Sequence, residues 1–306
     1  MSVAHYRMPR SMLALLALLT LFWGFNWPVV KTVLTEMAPL HFRSWCLAGG
    51  AAGLFAMAGL RGLRLRVPRG AWGRLTAISF FNIGAWSALA IYGITLMDSG
   101  RAAVLAYTFP IFGVLFSLWV LKEPLTRRRS AGLIVGMAGL ALLLGAELST
   151  EGRSPLGAIL LVGSAISWAS GTVIMKRWPV DLPTTSFVAW QLLISFVLIF
   201  LGALLFEPGS FSLLRLSTRA LLGILFNVFV CYVFCYWAWT KIATVAPVAI
   251  SSLSTLMIPV VGVFSGMLVL GERPQWYDYA ALAMVVAALA IVLTPAKAAG
   301  VVPSNA

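Results

Sequence analysis

Apolar residues run along this chain in ten long stretches separated by short polar connections. They cover approximately residues 12 to 34, 39 to 60, 72 to 96, 101 to 121, 130 to 147, 155 to 177, 184 to 206, 218 to 240, 246 to 270 and 276 to 294. A helix needs about 20 residues to cross a hydrocarbon core of roughly 30 Å. A barrel strand would alternate apolar with polar positions and stop after about ten residues, so each stretch predicts a spanning helix whose backbone bonds close internally. The expected fold is an all-α polytopic membrane protein with ten transmembrane helices and no room for a soluble domain.

The first stretch returns later in the chain. Trp23 and Lys31 recur 145 positions on as Trp168 and Lys176, as do Trp45 as Trp190, Phe55 as Phe200, Arg74 as Arg219 and Asn82 as Asn227. Before the ninth stretch the offset grows to 149, where Pro110 meets Pro259, Gly113 meets Gly262 and Glu123 meets Glu272. Leucine matches would mean little in so apolar a chain, but tryptophan, asparagine, proline and glutamate at a steady offset predict a duplication. The halves are residues 1–150 and 151–306, five helices each, within one integrated membrane domain. An odd number of spans inserts the halves in opposite orientation, as inverted repeats around a central cavity. Two inverted copies can exchange conformations and open that cavity alternately to either face, which is the behaviour of a transporter.

Composition agrees: 61% of residues are hydrophobic, 10% are charged and the mean hydropathy is +0.96. The net charge of +13 raises the question of a nucleic-acid partner. With the N-terminus in the cytoplasm, however, fifteen of the 22 basic residues fall on the inside, among them Arg61, Arg64, Arg66, Arg69, Arg74 and Arg127 to Arg129. The excess is then topological, nucleic acid is not expected, and both termini are cytoplasmic. Lys31, Arg43 and Arg101 belong to the outer face in this scheme. Arg7 and Arg10 precede an apolar run with no small-x-small cleavage site, so the run is read as an uncleaved first span. Cys46, Cys231 and Cys235 all lie in apolar stretches, where neither a disulfide framework nor a metal site is expected.

Polar and aromatic side chains at membrane depth are the candidates for a substrate cavity, because they are costly there unless satisfied. Trp23 and Asn26 share one face of the first helix, Asn82 and Trp86 one face of the third, and Asn227 and Tyr236 belong to the eighth. Tyr107 in the fourth, Trp168 in the sixth, Trp190 and Gln191 in the seventh, and Ser254 in the ninth complete the set. Aromatic faces with uncharged amides suit an amino acid or another small amphiphile. The same residue types also serve interfacial belts and helix packing. Pro28, Pro110 and Pro259 each remove a backbone donor and predict kinks, freeing the carbonyls of Gly24, Ala106 and Thr255. With Gly171, where Asn26 has no counterpart, they mark either hinges or static bends.

None of the nine acidic residues falls near the centre of a span, and Glu123 and Glu272 sit at helix ends beside Lys122 and Arg273. Such glutamates are read as capping or gating groups. A proton or sodium relay normally needs a carboxylate or histidine inside the membrane, so movement without tight proton coupling is expected. The chain has no His-Glu-x-x-His, no Gly-x-Ser-x-Gly and no phosphate-binding glycine loop, and only two histidines. Neither enzyme activity nor a cofactor is expected.

The segments AYTFPIFGVLFSLWVLKEPLT and STLMIPVVGVFSGMLVLGERP close the fourth helix of each half, and a tryptophan opens each half. In these features the chain resembles the drug/metabolite transporter superfamily, specifically its EamA-type branch, over nearly its whole length. The resemblance implies a small-metabolite exporter of the bacterial inner membrane, in a group that includes exporters of aromatic amino acids. The expected partners are a small-molecule substrate, an amino acid or related metabolite, and the lipid bilayer, with the protein a monomer. Export of drugs or cationic xenobiotics is the alternative, and a membrane enzyme a more distant one.

Overall fold

The computed structural model describes residues 10–122, 125–149, 154–209, 211–239 and 248–293, with the side chains at 12, 129, 149, 248–256, 292 and 293 outside the description. Those residues form ten helices: α1 (Arg10–Val33), α2 (Pro39–Leu60), α3 (Trp72–Thr95), α4 (Ser99–Val120), α5 (Arg127–Ser149), α6 (Pro155–Arg177), α7 (Thr184–Phe206), α8 (Thr218–Trp239), α9 (Val248–Leu270) and α10 (Trp276–Leu293). Helices α2, α6 and α7 begin and end at the predicted residues, because Pro39 and Pro155 open the first turn of two of them. Seven helices, α1 and α3 to α8, are long and apolar enough to cross a membrane, and α9 and α10 carry shorter apolar stretches. The protein is a multi-pass membrane protein.

The helices pack in a definite pattern. Helix α1 lies along α9, and α6 along α4. Helix α8 contacts α1 and α2, and α3 contacts α6 and α7. Helices α2 with α7, α4 with α9 and α5 with α10 form three further pairs. Exchanging the first five helices with the last five maps this set of contacts onto itself. Lipid supplies no hydrophobic force between helices, so close approach depends on small residues. Gly49 and Gly53 of α2 seat α8: a Cβ on either would press on Val228 or Val233 at 2.7 and 2.5 Å.

Two departures from regular α-helix position the interior. Phe80–Ala85 in α3 and Phe226–Cys235 in α8 are π-helical, and these wider turns contain Asn82 and Asn227. Insertions of this kind often accompany functional sites. Helix α4 breaks at Tyr107 and Thr108, and Pro110 lies in the first turn of its second half. The prolines do not act alike, contrary to the symmetric kinks expected. Pro28 and Pro259 sit inside continuous helices. At Pro28 the freed Gly24 carbonyl accepts a hydrogen bond from Ser265 of α9 at 3.4 Å, so a neighbour replaces the lost partner. At the α4 break, the Thr108 hydroxyl donates to the Leu105 carbonyl at 2.6 Å and stabilises the turn.

Carboxylates secure one end of the bundle. Glu207 at the end of α7 accepts from the Leu40 and His41 amides that open α2, at 2.9 and 3.2 Å, and from the Tyr92 hydroxyl at 2.6 Å. Glu272 accepts from the Ser99 and Gly100 amides that open α4, at 2.6 and 3.0 Å. Both use the positive end of a helix to hold negative charge. The expected capping role of Glu272 is thus met, although the helix it caps is α4 and not its own, and the group is nearly buried. Glu123 lies outside the described residues.

Candidate functional site

Aromatic rings gather where the π-helical turns and the α4 break face one another. Trp23 of α1 meets Tyr236 of α8 edge-on at 5.6 Å, and Tyr236 stacks on Tyr232 at 5.6 Å. On the other side Tyr107 and Phe109, flanking the α4 break, lie 5.8 Å apart; Phe109 is 5.8 Å from Trp168 of α6, which meets Trp86 of α3 at 5.2 Å. Trp23, Trp86, Tyr107, Trp168 and Tyr236 are all half-buried.

Five of the expected residues, Trp23, Trp86, Tyr107, Trp168 and Tyr236, therefore come together. The candidate amides have different roles. Asn82 donates to the Trp168 carbonyl at 3.2 Å and to the Thr172 hydroxyl at 3.3 Å, so it joins α3 to α6 behind the rings. Asn227 donates to the Gly223 carbonyl of its own helix at 3.1 Å, leaving its Oδ1 without a donor. The Asn26 Oδ1 and the Gln191 Oε1 are likewise buried without a donor among the described residues. Trp190 is elsewhere. Its indole donates to the Leu65 carbonyl at 2.8 Å, and its ring packs edge-on against Phe55 and Trp72, both at 5.1 Å, so it holds the α2–α3 connection. The Ser254 side chain lies outside the description. Of the bend positions, Gly24 and Gly171 are points of close helix contact: a Cβ on Gly171 would meet the Asn82 Cβ and amide nitrogen at 2.7 Å.

The family model for EamA-like transporters matches this chain twice, over residues 10–145 and 155–294. The chain belongs to the EamA-like transporter family. Its relatives within the family include an uncharacterised transporter, YvbV, of Bacillus subtilis, 29% identical over 95% of both chains. A probable amino-acid metabolite efflux pump of Salmonella typhimurium is 28% identical over 90% of this chain and 92% of the relative. The aromatic amino acid exporter YddG of Ancylobacter novellus is 33% identical over 53% of this chain and 56% of its own. A solved structure at 22% identity superimposes with a TM-score of 0.66 over 92% of this chain and 96% of the other, which places this EamA-like chain in that fold.

One residue beside the ring cluster was not singled out by the sequence. Arg43, assigned to the outer face by the charge rule, is 5% exposed, and its Nη1 donates to the Tyr232 hydroxyl at 2.7 Å. The missed signal was an arginine in an apolar helix with no acidic residue within four positions on either side. Among the described residues no group of three or more metal-ligating side chains occurs, and the three cysteines are buried as free thiols.

Proposed function

We propose that this EamA-like protein exports amino acids, aromatic or otherwise apolar, across the bacterial inner membrane, as an alternating-access transporter built from two inverted five-helix repeats. The ring cluster carries the reading: seven aromatic side chains from α1, α3, α4, α6 and α8 meet one another in two arcs, and we take their half-buried faces to line the substrate path. Rings accommodate an apolar side chain, and the amides suit the polar end of a zwitterion. The inverted repeat is supported by three features: the match of the family model to each half, a contact pattern that survives exchange of the halves, and π-helical turns carrying Asn82 and Asn227. The amino-acid substrate is supported by the relatives named for amino-acid efflux. Residues 1–150 and 151–306 form the repeats, both termini are cytoplasmic, and the protein works as a monomer.

Transport proceeds without tight proton coupling in this reading. The buried carboxylates Glu147 and Asp278 share Arg101 at one end of the bundle, and Glu207 and Glu272 cap helices there, so these carboxylates are engaged in structural contacts away from the ring cluster. Purified protein in liposomes preloaded with labelled phenylalanine should release it faster than protein-free liposomes, and unlabelled tryptophan inside should compete. Equal rates with and without protein would refute the proposal.

A further inference from the structure

Among the described residues two arginines are buried, Arg43 and Arg101, and they differ in the groups that hold them. Arg101 donates through Nε and Nη2 to the two Asp278 oxygens, each at 2.8 Å, and through Nη1 to Glu147 at 2.6 Å. Arg43 has no carboxylate partner among the described residues. Its Nη1 is held by the Tyr232 hydroxyl, its Nε is buried without an acceptor, and its Cζ lies 5.7 and 6.0 Å from the rings of Phe42 and Tyr232. A guanidinium does not shed its proton in a protein, so the positive charge stays. Ring faces and one phenol offset only part of the cost of burying it. The fork of donors lacks an anion, and carboxylate is the group that matches it in shape.

The geometry points to Arg43 as the group that recognises a substrate carboxylate, with Tyr232 positioning the guanidinium beside the cage. This inference rests on the cage being the transport site, and it narrows the substrates to those bearing an anionic group. Tyr232 belongs both to the arginine and to the ring stack, so a ligand anchored at Arg43 has its body against Tyr236 and Trp23. The unpaired oxygens of Asn26 and Asn227 complement an ammonium group. An aromatic cation without an anionic group meets the like charge of Arg43 and is disfavoured.

The test measures binding of phenylalanine, 3-phenylpropionate and phenethylamine to purified full-length protein and to Arg43→Gln, Arg43→Lys and Tyr232→Phe. In the wild type, phenylalanine and 3-phenylpropionate should compete with each other and phenethylamine should not. Arg43→Gln should weaken both carboxylates by about tenfold or more, the scale of a lost charged hydrogen bond, while leaving phenethylamine unchanged or tighter. Arg43→Lys should recover part of the loss, and Tyr232→Phe, which keeps the charge, should weaken carboxylates by about threefold to tenfold. Unaltered phenylalanine binding in a folded Arg43→Gln protein overturns the inference and leaves the transport reading standing. If Arg43→Gln does not fold, equal affinities for phenylalanine and phenethylamine in the wild type overturn it. If the wild type ignores phenylalanine but binds 3-phenylpropionate through Arg43, the carboxylate inference stands and the amino-acid reading fails. Chloride-dependent thermal stability that disappears in Arg43→Gln, with phenylalanine binding unaffected, makes chloride the counter-ion and overturns the inference.

Discussion

Asn82 of α3 lies directly on Gly171 of α6: there is no room for a methyl group at 171, and the Asn82 amide donates to the Trp168 carbonyl one turn earlier. The contact sets the distance between two walls of the cage, since Trp86 follows Asn82 by one turn and Trp168 is its partner across the gap. Gly171→Ala should therefore destabilise the protein by about 1–3 kcal/mol, the usual cost of overpacking. Asn82→Ala should cost less, because Thr172 still donates to the Trp168 carbonyl at 2.9 Å. Thermal unfolding in detergent would show the order, and an equal or reversed order would contradict the packing argument.

Arg101 should behave in the opposite way from Arg43. Its removal strands Glu147 and Asp278, so Arg101→Met should cost about 3–5 kcal/mol, as broken buried ion pairs do. Adding Glu147→Gln and Asp278→Asn to the same protein should restore much of the stability. Melting temperatures of the single and triple variants check this.

Trp168 and Trp190 are both tryptophans within the second half's helices, but they serve different ends in the structure. Trp168→Ala removes a cage wall and should weaken amino-acid binding about fivefold, within the range of aromatic contact energies. Trp190→Ala loosens the α2–α3 connection and should lower the melting temperature while leaving affinity within about twofold. Equilibrium binding and thermal unfolding on both variants separate the roles.

Transport without tight proton coupling has a direct readout. Labelled phenylalanine should equilibrate across proteoliposome membranes and stop there, with an imposed pH gradient changing the final distribution little. Accumulation driven uphill by the gradient and lost on replacing one carboxylate would refute it.

Helix number and helix limits were legible because length and apolarity are local properties: Pro39 and Pro155 open helices wherever the chain lies. The aromatic candidates were legible in part. Trp23, Trp86, Tyr107, Trp168 and Tyr236 stood out as rings in mid-helix, whereas Trp190 has the same composition around it and serves a loop. Periodicity assigns a residue to a face of its own helix and says nothing of which helix that face meets. The unlike behaviour of Pro110 and Pro259 was hidden for a related reason: a missing amide bends or breaks a helix according to what neighbours offer.

The sequence by itself determined that this chain spans a membrane repeatedly as helices, that its halves echo each other, and which families of side chain are available at depth. These follow from the cost of an unpaired backbone in lipid and from the identity of rare residues. Only the tertiary structure decided that Arg101 is paired and Arg43 is not. Both are single arginines near the start of a helix, and charge balance is settled between helices: α5 and α10 bring carboxylates to one, and α8 brings a phenol to the other.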